Sequence, residues 1–577
     1  MSLENNKKNL YWDIGFGVLF ILTALFLIYK CRYGIGSIDE SFYLNVPYRL
    51  VQGDGLLSQE WHLSQLSGFL LYPLMKIYLM ISGSMDGMIL TFRYIYTGVQ
   101  LALGLFVFFK FRKINRPGAI AAAICIMVFA PYGIMALSYN SMGIICLTVC
   151  LTLLAAPRRA VRLQQAAAGV FFAAGVLCCP YLLFLFVFYF IAAVIGSALK
   201  KKRTIDINSP YYLKSFLFFL IGAAAVAVVF GTFVLSRSSF KEILAALPNI
   251  MNDAEHEFVG VLEIFLSYFK EIFSIGKFVN ICYGAMLVLI AVSAIDRKRK
   301  DHGWLYFILA SCVSILAMYF MYRQGNFINY LMFPVNLMAV ECALLSRNDL
   351  IKKIFAVFWI PGMLYTFCIN VSSNQGFYAI SMAAAVPLAA SLIITGMTAA
   401  ALLNNRRGVV KAALILAACA VLVCQVGSVA YKRYRSVFRE SLDILSKEAE
   451  TRSIDKGLYM SEEHAEIYEH TLEITEYINE KYVDCETIAF VSGYVWMYYM
   501  CAEKKMGSFS AWMLGVYDGI TPAVMEKQME YYRLNEDKIP DIVYIVAEYD
   551  DYASYYENLA DYETEYVNDG GMILVRE

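Results

Sequence analysis

Two adjacent carboxylates, Asp39 and Glu40, follow the first long apolar run of the chain. A histidine and a glutamine, His62 and Gln65, stand in the amphipathic stretch that comes next. Carboxylates and imidazoles are the side chains that most often transfer protons in enzymes. An acid at membrane level is costly unless it faces water or a partner, which makes Asp39 and Glu40 functional candidates. The alternative is that both are solvated loop residues or cap a helix.

The composition indicates what must position these side chains. Of the 577 residues, 59% are hydrophobic and 17% are charged, and the mean hydropathy is +0.56. A water-soluble chain cannot bury that much apolar surface, so the composition predicts an integral membrane protein with many spans. Residues 431–577 carry 14 basic and 30 acidic side chains, whereas the first 430 residues carry 34 and 18. This asymmetry predicts a basic membrane domain, 1–430, and an acidic, water-exposed domain, 431–577.

Apolar runs of about 20 residues predict about 13 transmembrane helices. Two long blocks are each interrupted by a Pro-Tyr pair, which favours a hairpin of two short helices in each. The predicted spans are 12–29, 87–109, two within 118–156, two within 164–199, 212–235, 278–295, 303–321, 327–346, 352–371, 378–402 and 411–430. Basic clusters collect in cytoplasmic turns, and their positions here predict a cytoplasmic N-terminus. The outer loops are then 31–85 and 236–277, and the first of them is predicted to be a polar stretch.

The tail predicts a small α/β domain outside the cytoplasm. Helical spacing covers Glu462 to Lys481, and β-rich runs cover Thr487 to Ser492 and Asp541 to Val546. Gly570-Gly571 predicts a turn before a last strand, Met572 to Arg576. Cys485 and Cys501 are the two cysteines of this domain, and they are read either as free thiols or as a disulfide. The fold class is therefore a polytopic α-helical membrane protein with a C-terminal α/β extracytoplasmic domain.

The first outer loop resembles the opening of the GT-C superfamily of integral-membrane glycosyltransferases. That superfamily includes protein O-mannosyltransferases and the aminoarabinose transferases that act on lipid A. Its pattern after the first span is Asp-Glu-x-x-Tyr, then a Gly, then a His/Pro-rich segment. The matching residues here are Asp39, Glu40, Tyr43, Gly53, His62 and Pro73. The chain departs from the pattern at His62-Leu63-Ser64-Gln65, which has no proline and indicates a divergent member.

The resemblance implies transfer of a hexosyl or pentosyl group from a polyprenyl-phosphate-linked donor on the extracytoplasmic side. A base must then take the proton of the acceptor hydroxyl as it attacks the anomeric carbon. Asp39 is expected to be that base, and Glu40 is expected to position it or the acceptor. Direct displacement inverts the anomeric configuration. The acceptor is a glycan, a lipid or a protein, and membrane lipids are the other partners.

The departing phosphate needs a cation on the outer side. The outer-side cations are Arg32, Arg49, Lys76, Arg93 and Arg323. Arg323 is expected to bind phosphate because a guanidinium matches its geometry, and Tyr322 precedes it in a segment that resembles the Arg/Tyr-rich late segment of the superfamily. The alternatives are an Arg323 that extends to the lipid headgroups and an Arg93 paired with another helix. The expected substrate-binding residues are Tyr43, His62, Gln65, Arg93, Tyr322 and Arg323.

No cofactor follows from the sequence with certainty, although some members of the superfamily use a divalent ion. Asp253, Glu255, His256 and Glu257 could supply its ligands, and the alternative is a solvated loop. Asp550-Asp551 is read as a surface pair. The acidic tail argues against nucleic acid as a partner, because nucleic acid requires positive charge.

Two other functions remain open at the level of the sequence. The first is a transporter or flippase of lipid-linked glycans, which would place ionisable residues in mid-membrane within discontinuous helices. The second is a polymerase or ligase of surface polysaccharide. The acids in the outer loops and the large outer domain favour chemistry at the outer surface. With no organelle signal visible, the expected location is a plasma membrane, by default a bacterial one.

Overall fold

The protein is a polytopic helical membrane protein with a C-terminal domain that contains a sheet. Its computed structural model describes residues 3–35, 37–156, 161–200, 210–252, 260–296, 299–324, 331–373, 375–404, 406–438, 440–449, 453–513, 519–568 and 570–577. Within these ranges, ten helices are long and apolar enough to cross a membrane. Three shorter apolar helices are Arg116–Val128, Tyr139–Ala155 and Phe333–Leu345. Together these helices correspond to the thirteen predicted spans.

The membrane part begins with an apolar helix and two shorter helices, and the last long helix leads into the C-terminal domain. Its helices are α1 (Leu3–Lys30), α2 (Ser37–Gln52), α3 (Gly68–Ser82), α4 (Met88–Phe111), α5 (Arg116–Val128), α6 (Tyr139–Ala155), α7 (Val161–Cys178), α8 (Leu183–Lys200), α9 (Leu213–Leu235), α10 (Phe240–Met251), α11 (Val261–Ile272), α12 (Lys277–Ile295), α13 (Arg299–Arg323), α14 (Phe333–Leu345), α15 (Asp349–Ile354), α16 (Ile360–Ser372), α17 (Phe377–Ala383), α18 (Ala385–Leu403) and α19 (Gly408–Arg435). A π-helical segment, Phe355–Trp359, joins α15 to α16.

The prediction for the stretch between the first two spans needs one correction. Residues 31–85 were expected to be polar, but they contain α2 and the apolar helix α3. Ile77, Met80 and Ile81 of α3 are exposed. An exposed apolar face on a helix of 15 residues is typical of one that lies in the membrane interface.

Proline breaks create the two hairpins expected from the Pro-Tyr pairs. Pro131 follows α5, and Tyr132 takes a left-handed conformation with φ of 55°. The helix α6 then starts with a capping box, in which the Ser138 hydroxyl accepts from the Ser141 amide at 3.0 Å and the Ser141 hydroxyl accepts from the Ser138 amide at 2.8 Å. This turn places Tyr132 and Tyr139 at the end of the bundle that carries the C-terminal domain, called the domain side below.

The C-terminal domain is built on a five-stranded mixed sheet. Its helices are α20 (Glu462–Lys481), α21 (Met497–Met500), α22 (Pro522–Leu534) and α23 (Ala553–Glu557). Its strands are β1 (Ser436–Val437), β2 (Glu440–Ser441), β3 (Lys447–Glu448), β4 (Tyr459–Met460), β5 (Thr487–Val491), β6 (Lys505–Met506), β7 (Ile542–Val546), β8 (Tyr562–Asn568) and β9 (Gly571–Arg576). The sheet order is β6-β5-β7-β9-β8, with β5 parallel to β6 and β7.

The predicted helix and strands of this domain are confirmed. The helix α20 has the predicted bounds, and β5, β7 and β9 fall on the three predicted strands. The side chains of β5 are all buried, and those of β7 are buried except at its last residue, Val546, which explains the continuous apolar runs that revealed them. Cys485 and Cys501 are both free thiols.

A buried ionic network fixes the domain to α2. The Arg49 guanidinium is fully buried, and it donates to Asp54 and Glu60 at 2.8 Å each. Its Nη2 also donates to the phenol oxygen of Tyr531 in α22 at 3.3 Å. Lys538 of the domain donates to the other oxygen of Asp54. Because these charges are paired inside the contact, the domain is held in one orientation against α2.

Removal of the lysine from this network should loosen the docked domain. Lys538→Met is expected to cost about 1–3 kcal/mol of stability, because Asp54 loses a charged donor but keeps Arg49. Thermal unfolding and hydrogen exchange of residues 54–60 measure the loss. Lys505→Met removes an exposed ion pair with Glu486 and serves as the matched control. Equal unfolding temperatures for the two variants would contradict the docking role.

A histidine in the domain makes its stability depend on pH. His464 of α20 lies 3.0 Å from the Glu440 carboxylate, and this contact raises the pKa of His464 above its ordinary value of 6.5. The extra stability is therefore full below pH 6.5 and is lost as the pH rises through the raised value. His464→Gln should flatten this dependence by up to about 1 kcal/mol in unfolding curves across this range. The matched control, His470→Gln at an exposed position of α20, should keep the dependence.

Candidate active site

A short turn after α1 sets the start of α2 against the C-terminal domain. The Gly34 amide donates to the Tyr459 carbonyl at 2.7 Å, and the Tyr459 amide donates to the Arg32 carbonyl at 2.6 Å. Gly34 has a φ of +73°, and a Cβ there would lie 2.5 Å from the Val437 side chain. Only glycine fits this close approach in that conformation. Asp39 and Glu40 then occupy the first turn of α2, where the helix dipole favours carboxylates.

Glu40 is locked into an ion pair with Arg93 of α4. The guanidinium donates through Nε and Nη2 to the two carboxylate oxygens of Glu40 at 2.7 and 2.6 Å. The remaining Nη1 donates to the carbonyls of Cys31 and Tyr33 at 2.8 and 3.2 Å. Glu40 is 1% exposed and Arg93 is 2% exposed. This is the interhelical pairing that the sequence left as the alternative for Arg93, and it fixes the start of α2 to the bundle.

Asp39, in contrast, is half-buried and lies beside a cluster of tyrosines. The Tyr43 phenol, one helical turn later, lies 3.5 Å from Asp39 Oδ1. Burial and the charge of Asp39 raise the pKa of Tyr43 well above its ordinary value of 10.0, so the phenol keeps its proton and can donate. Tyr43 meets Tyr139 edge to face at 5.7 Å, and Tyr132 packs on Tyr378 at 4.6 Å. We call Tyr43, Tyr132, Tyr139 and Tyr378 the tyrosine cluster.

His62 and Gln65 lie on the other side of Phe42 from this cluster. The His62 ring packs against Phe42 at 4.5 Å, and Phe42 also contacts Trp512 of the domain at 5.5 Å. His62 Nδ1 lies 2.8 Å from the Ser64 hydroxyl. Gln65 is buried, and its side-chain oxygen accepts from the Leu57 amide at 2.6 Å. The structure thus places His62 against Phe42 of α2, whereas Gln65 holds the loop that precedes α3.

Tyr322 and Arg323 lie apart from these residues, in the last turn of α13. Both are exposed, and the Tyr322 ring packs near Tyr431 of α19 at 6.0 Å. Of the other predicted cations, Arg32 and Lys76 are exposed on the surface and Arg49 belongs to the docking network. Arg323 of α13 and Asp39 of α2 thus belong to separate helices, and the phosphate-binding role of Arg323 stays a prediction.

The structure does not describe the four candidate metal ligands. Asp253, Glu255, His256 and Glu257 lie outside the described residues. Among the residues that are described, no group of three or more His, Cys, Asp or Glu side chains could hold a metal ion. Asp550 and Asp551 are exposed on the domain surface.

Two solved structures of one protein align with nearly the whole length of the chain. ArnT from Cupriavidus metallidurans in the apo state matches with 14% sequence identity and a TM-score of 0.40, covering 97% of this chain and 98% of that chain. ArnT from the same organism bound to undecaprenyl phosphate matches with 12% identity and a TM-score of 0.38, at the same coverage. No protein-family model and no curated protein sequence matches the chain.

The sequence analysis missed one residue of the domain side, Arg433. The last span was predicted to end at 430, so Arg433 was counted with the tail, 431–577. The helix α19 instead continues to Arg435, and Gln425, Val429 and Arg433 form one buried face at intervals of four residues. That spacing was visible in the sequence. Arg433 is 1% exposed, and its Nη1 donates to the carbonyl of Gly133 at 2.7 Å, next to Tyr132.

Proposed function

We propose that this chain is a glycosyltransferase that moves a sugar from a polyprenyl-phosphate donor to an acceptor hydroxyl. The observation that carries the proposal is the position of Asp39. It is a half-buried carboxylate at the start of a helix just after the first span, between the membrane helices and the docked domain. A lipid donor and a water-borne acceptor can meet there, because one reaches the site from the bilayer and the other from the domain side.

In the proposed reaction, Asp39 acts as the general base. The acceptor oxygen attacks the anomeric carbon, its proton goes to the Asp39 carboxylate, and the bond from that carbon to the phosphate oxygen breaks with inversion. Tyr43 positions Asp39 through its phenol, 3.5 Å from Oδ1. Glu40 acts indirectly, since its ion pair with Arg93 fixes the first turn of α2. We therefore assign proton transfer to Asp39 and a positioning role to Glu40.

The substrates would approach Asp39 from two directions. Tyr43 and His62 flank the acceptor side, and Gln65 orders the loop behind them. Tyr322 and Arg323 lie on the membrane surface of the domain side, where they would meet the headgroup of an arriving donor. We place the domain side outside the cytoplasm, in a bacterial plasma membrane, because the basic turns of the sequence lie at the opposite ends of the helices. The transferred group is a hexosyl or pentosyl sugar.

Transfer by purified protein tests the proposal. The full-length chain in proteoliposomes is incubated with radiolabelled polyprenyl-phosphate sugars and with glycan, lipid or peptide acceptors. Label in an acceptor, with inverted anomeric configuration, is the expected result. Movement of the labelled donor between leaflets without transfer would identify a flippase instead and overturn the proposal.

A further inference from the structure

Two cations lie buried on the domain side without a carboxylate partner among the described residues. Arg433 and Lys30 are each 1% exposed. Lys30 Nζ donates to the Tyr434 carbonyl at 2.7 Å. Arg433 uses only Nη1, toward Gly133, and within the described part of the chain its Nε and Nη2 are buried with no hydrogen-bond partner. Neutral carbonyls therefore hold both cations, and two guanidinium donors are left over.

The surrounding charges do not neutralise these cations. Glu40 and Arg93 are near enough to act electrostatically on Arg433, but they form a closed pair whose charges cancel. Lys30 also lies near Arg433, and it supplies no negative charge to balance the guanidinium. A buried charge is costly unless it is paired, and each unsatisfied buried donor adds to that cost. A protein interior that keeps two such cations together has the properties of an anion site.

The site lies next to the candidate active site. Arg433 donates to the carbonyl of Gly133, and the preceding residue, Tyr132, belongs to the tyrosine cluster beside Asp39. The backbone turn that contains Tyr132 and Gly133 thus connects Arg433 to the tyrosine cluster. Exposed Arg323, by comparison, lies at the end of a neighbouring helix, where water competes for its donors.

We propose that Arg433, with Lys30, binds the phosphate group of a polyprenyl phosphate, a role that rests on the proposed function. A phosphodiester donor carries one negative charge. When the acceptor oxygen bonds to the anomeric carbon, the bond to the phosphate oxygen breaks and that oxygen keeps the electron pair, so the phosphate becomes a dianion. The acceptor proton goes to Asp39. Two uncompensated cations match the dianion better than the monoanion, so they favour the transition state over the bound donor.

The Gly133 carbonyl that accepts from Arg433 also accepts from the backbone just after α19. The unpaired nitrogens are closed to solvent, and the Phe438 amide lies 3.4 Å from the same Gly133 carbonyl that accepts from Arg433. Phe438 has a φ of +49°, a conformation that is costly for a bulky side chain.

Binding to the full-length chain in nanodiscs tests the site without any transfer step. The probes are a polyprenyl monophosphate, its methyl diester, the polyprenol of equal length, and inorganic phosphate as competitor. Arg433→Gln should weaken monophosphate binding by about 10- to 100-fold and polyprenol binding not at all. The diester should be affected less, and Arg433→Lys should restore part of the loss. The matched control is Arg435→Gln, since Arg435 lies on the same helix but is exposed.

Several results would overturn the assignment. One is equal monophosphate affinity in the parent and in a folded Arg433→Gln variant, and another is an equal loss of polyprenol binding. Competition by inorganic phosphate at the same concentration as the lipid would assign the site to the free ion. Lys30→Gln, with an expected loss of about 3- to 10-fold, gives the same readout if Arg433→Gln fails to fold. A chain that binds the monophosphate through Arg433 but transfers no sugar would refute the proposed function and leave this site intact.

Discussion

Asp39→Asn is expected to lower the rate of sugar transfer by about 10²- to 10⁴-fold, the usual contribution of a general base. The amide keeps the shape of the side chain and can still meet Tyr43, but it cannot accept the proton of the acceptor. Because Asp39 is only half-buried, the unfolding temperature should stay close to that of the parent. The rate is measured with saturating donor and acceptor in proteoliposomes.

A neighbouring acid provides the control for this substitution. Asp86 is exposed in the turn between α3 and α4, on the same side of the membrane. Asp86→Asn should therefore transfer sugar at the parent rate. If Asp39→Asn keeps near-normal transfer and folds normally, Asp39 is not the base. A loss of transfer that is matched by a loss of donor binding would instead assign Asp39 to binding.

The fold was predictable where one physical pattern dominated a segment. Uninterrupted apolar runs marked the spans, and the helical spacing of Glu462 to Lys481 marked α20 to the residue. The apolar helix α3 was missed because its 15 residues lie within a longer polar stretch, and the run was absorbed into that stretch. When an apolar segment is close to the minimum length of a span, its contacts with the rest of the fold are needed to assign its location.

The candidate site was predictable only in part. Asp39 and Tyr43 are four residues apart, and a helix brings such residues onto one face, so their contact followed from local spacing. The partner of Glu40 lies 53 residues away in the chain, and Gly133 lies 300 residues from Arg433. Nothing in local periodicity selects such partners, because the packing of α4, α19 and the Pro131 turn decides them. The sequence alone therefore does not predict long-range side-chain contacts of this kind.

Glu40→Gln is expected to cost about 3–5 kcal/mol of stability, because the fully buried Arg93 guanidinium loses its counter-charge. The loss is measured as the fall in unfolding temperature of the purified variant relative to the parent. This fall is then converted to a change in the free energy of unfolding. Glu448→Gln is the matched control, since its ion pair with Arg32 is 3.8 Å long and exposed. An exposed pair contributes about 0–1 kcal/mol, so this variant should unfold like the parent.

A double variant separates the charge of Glu40 from its position. In Glu40→Gln/Arg93→Met no charge is left unpaired, so the double variant should be more stable than Glu40→Gln alone. If Glu40 only positions α2, transfer should recover with stability, since Asp39 regains its place. If Glu40 takes part in proton transfer, the double variant should be as stable as expected and still fail to transfer sugar. Equal stability of the single and double variants would contradict the ion pair itself as the element that fixes α2 to the bundle.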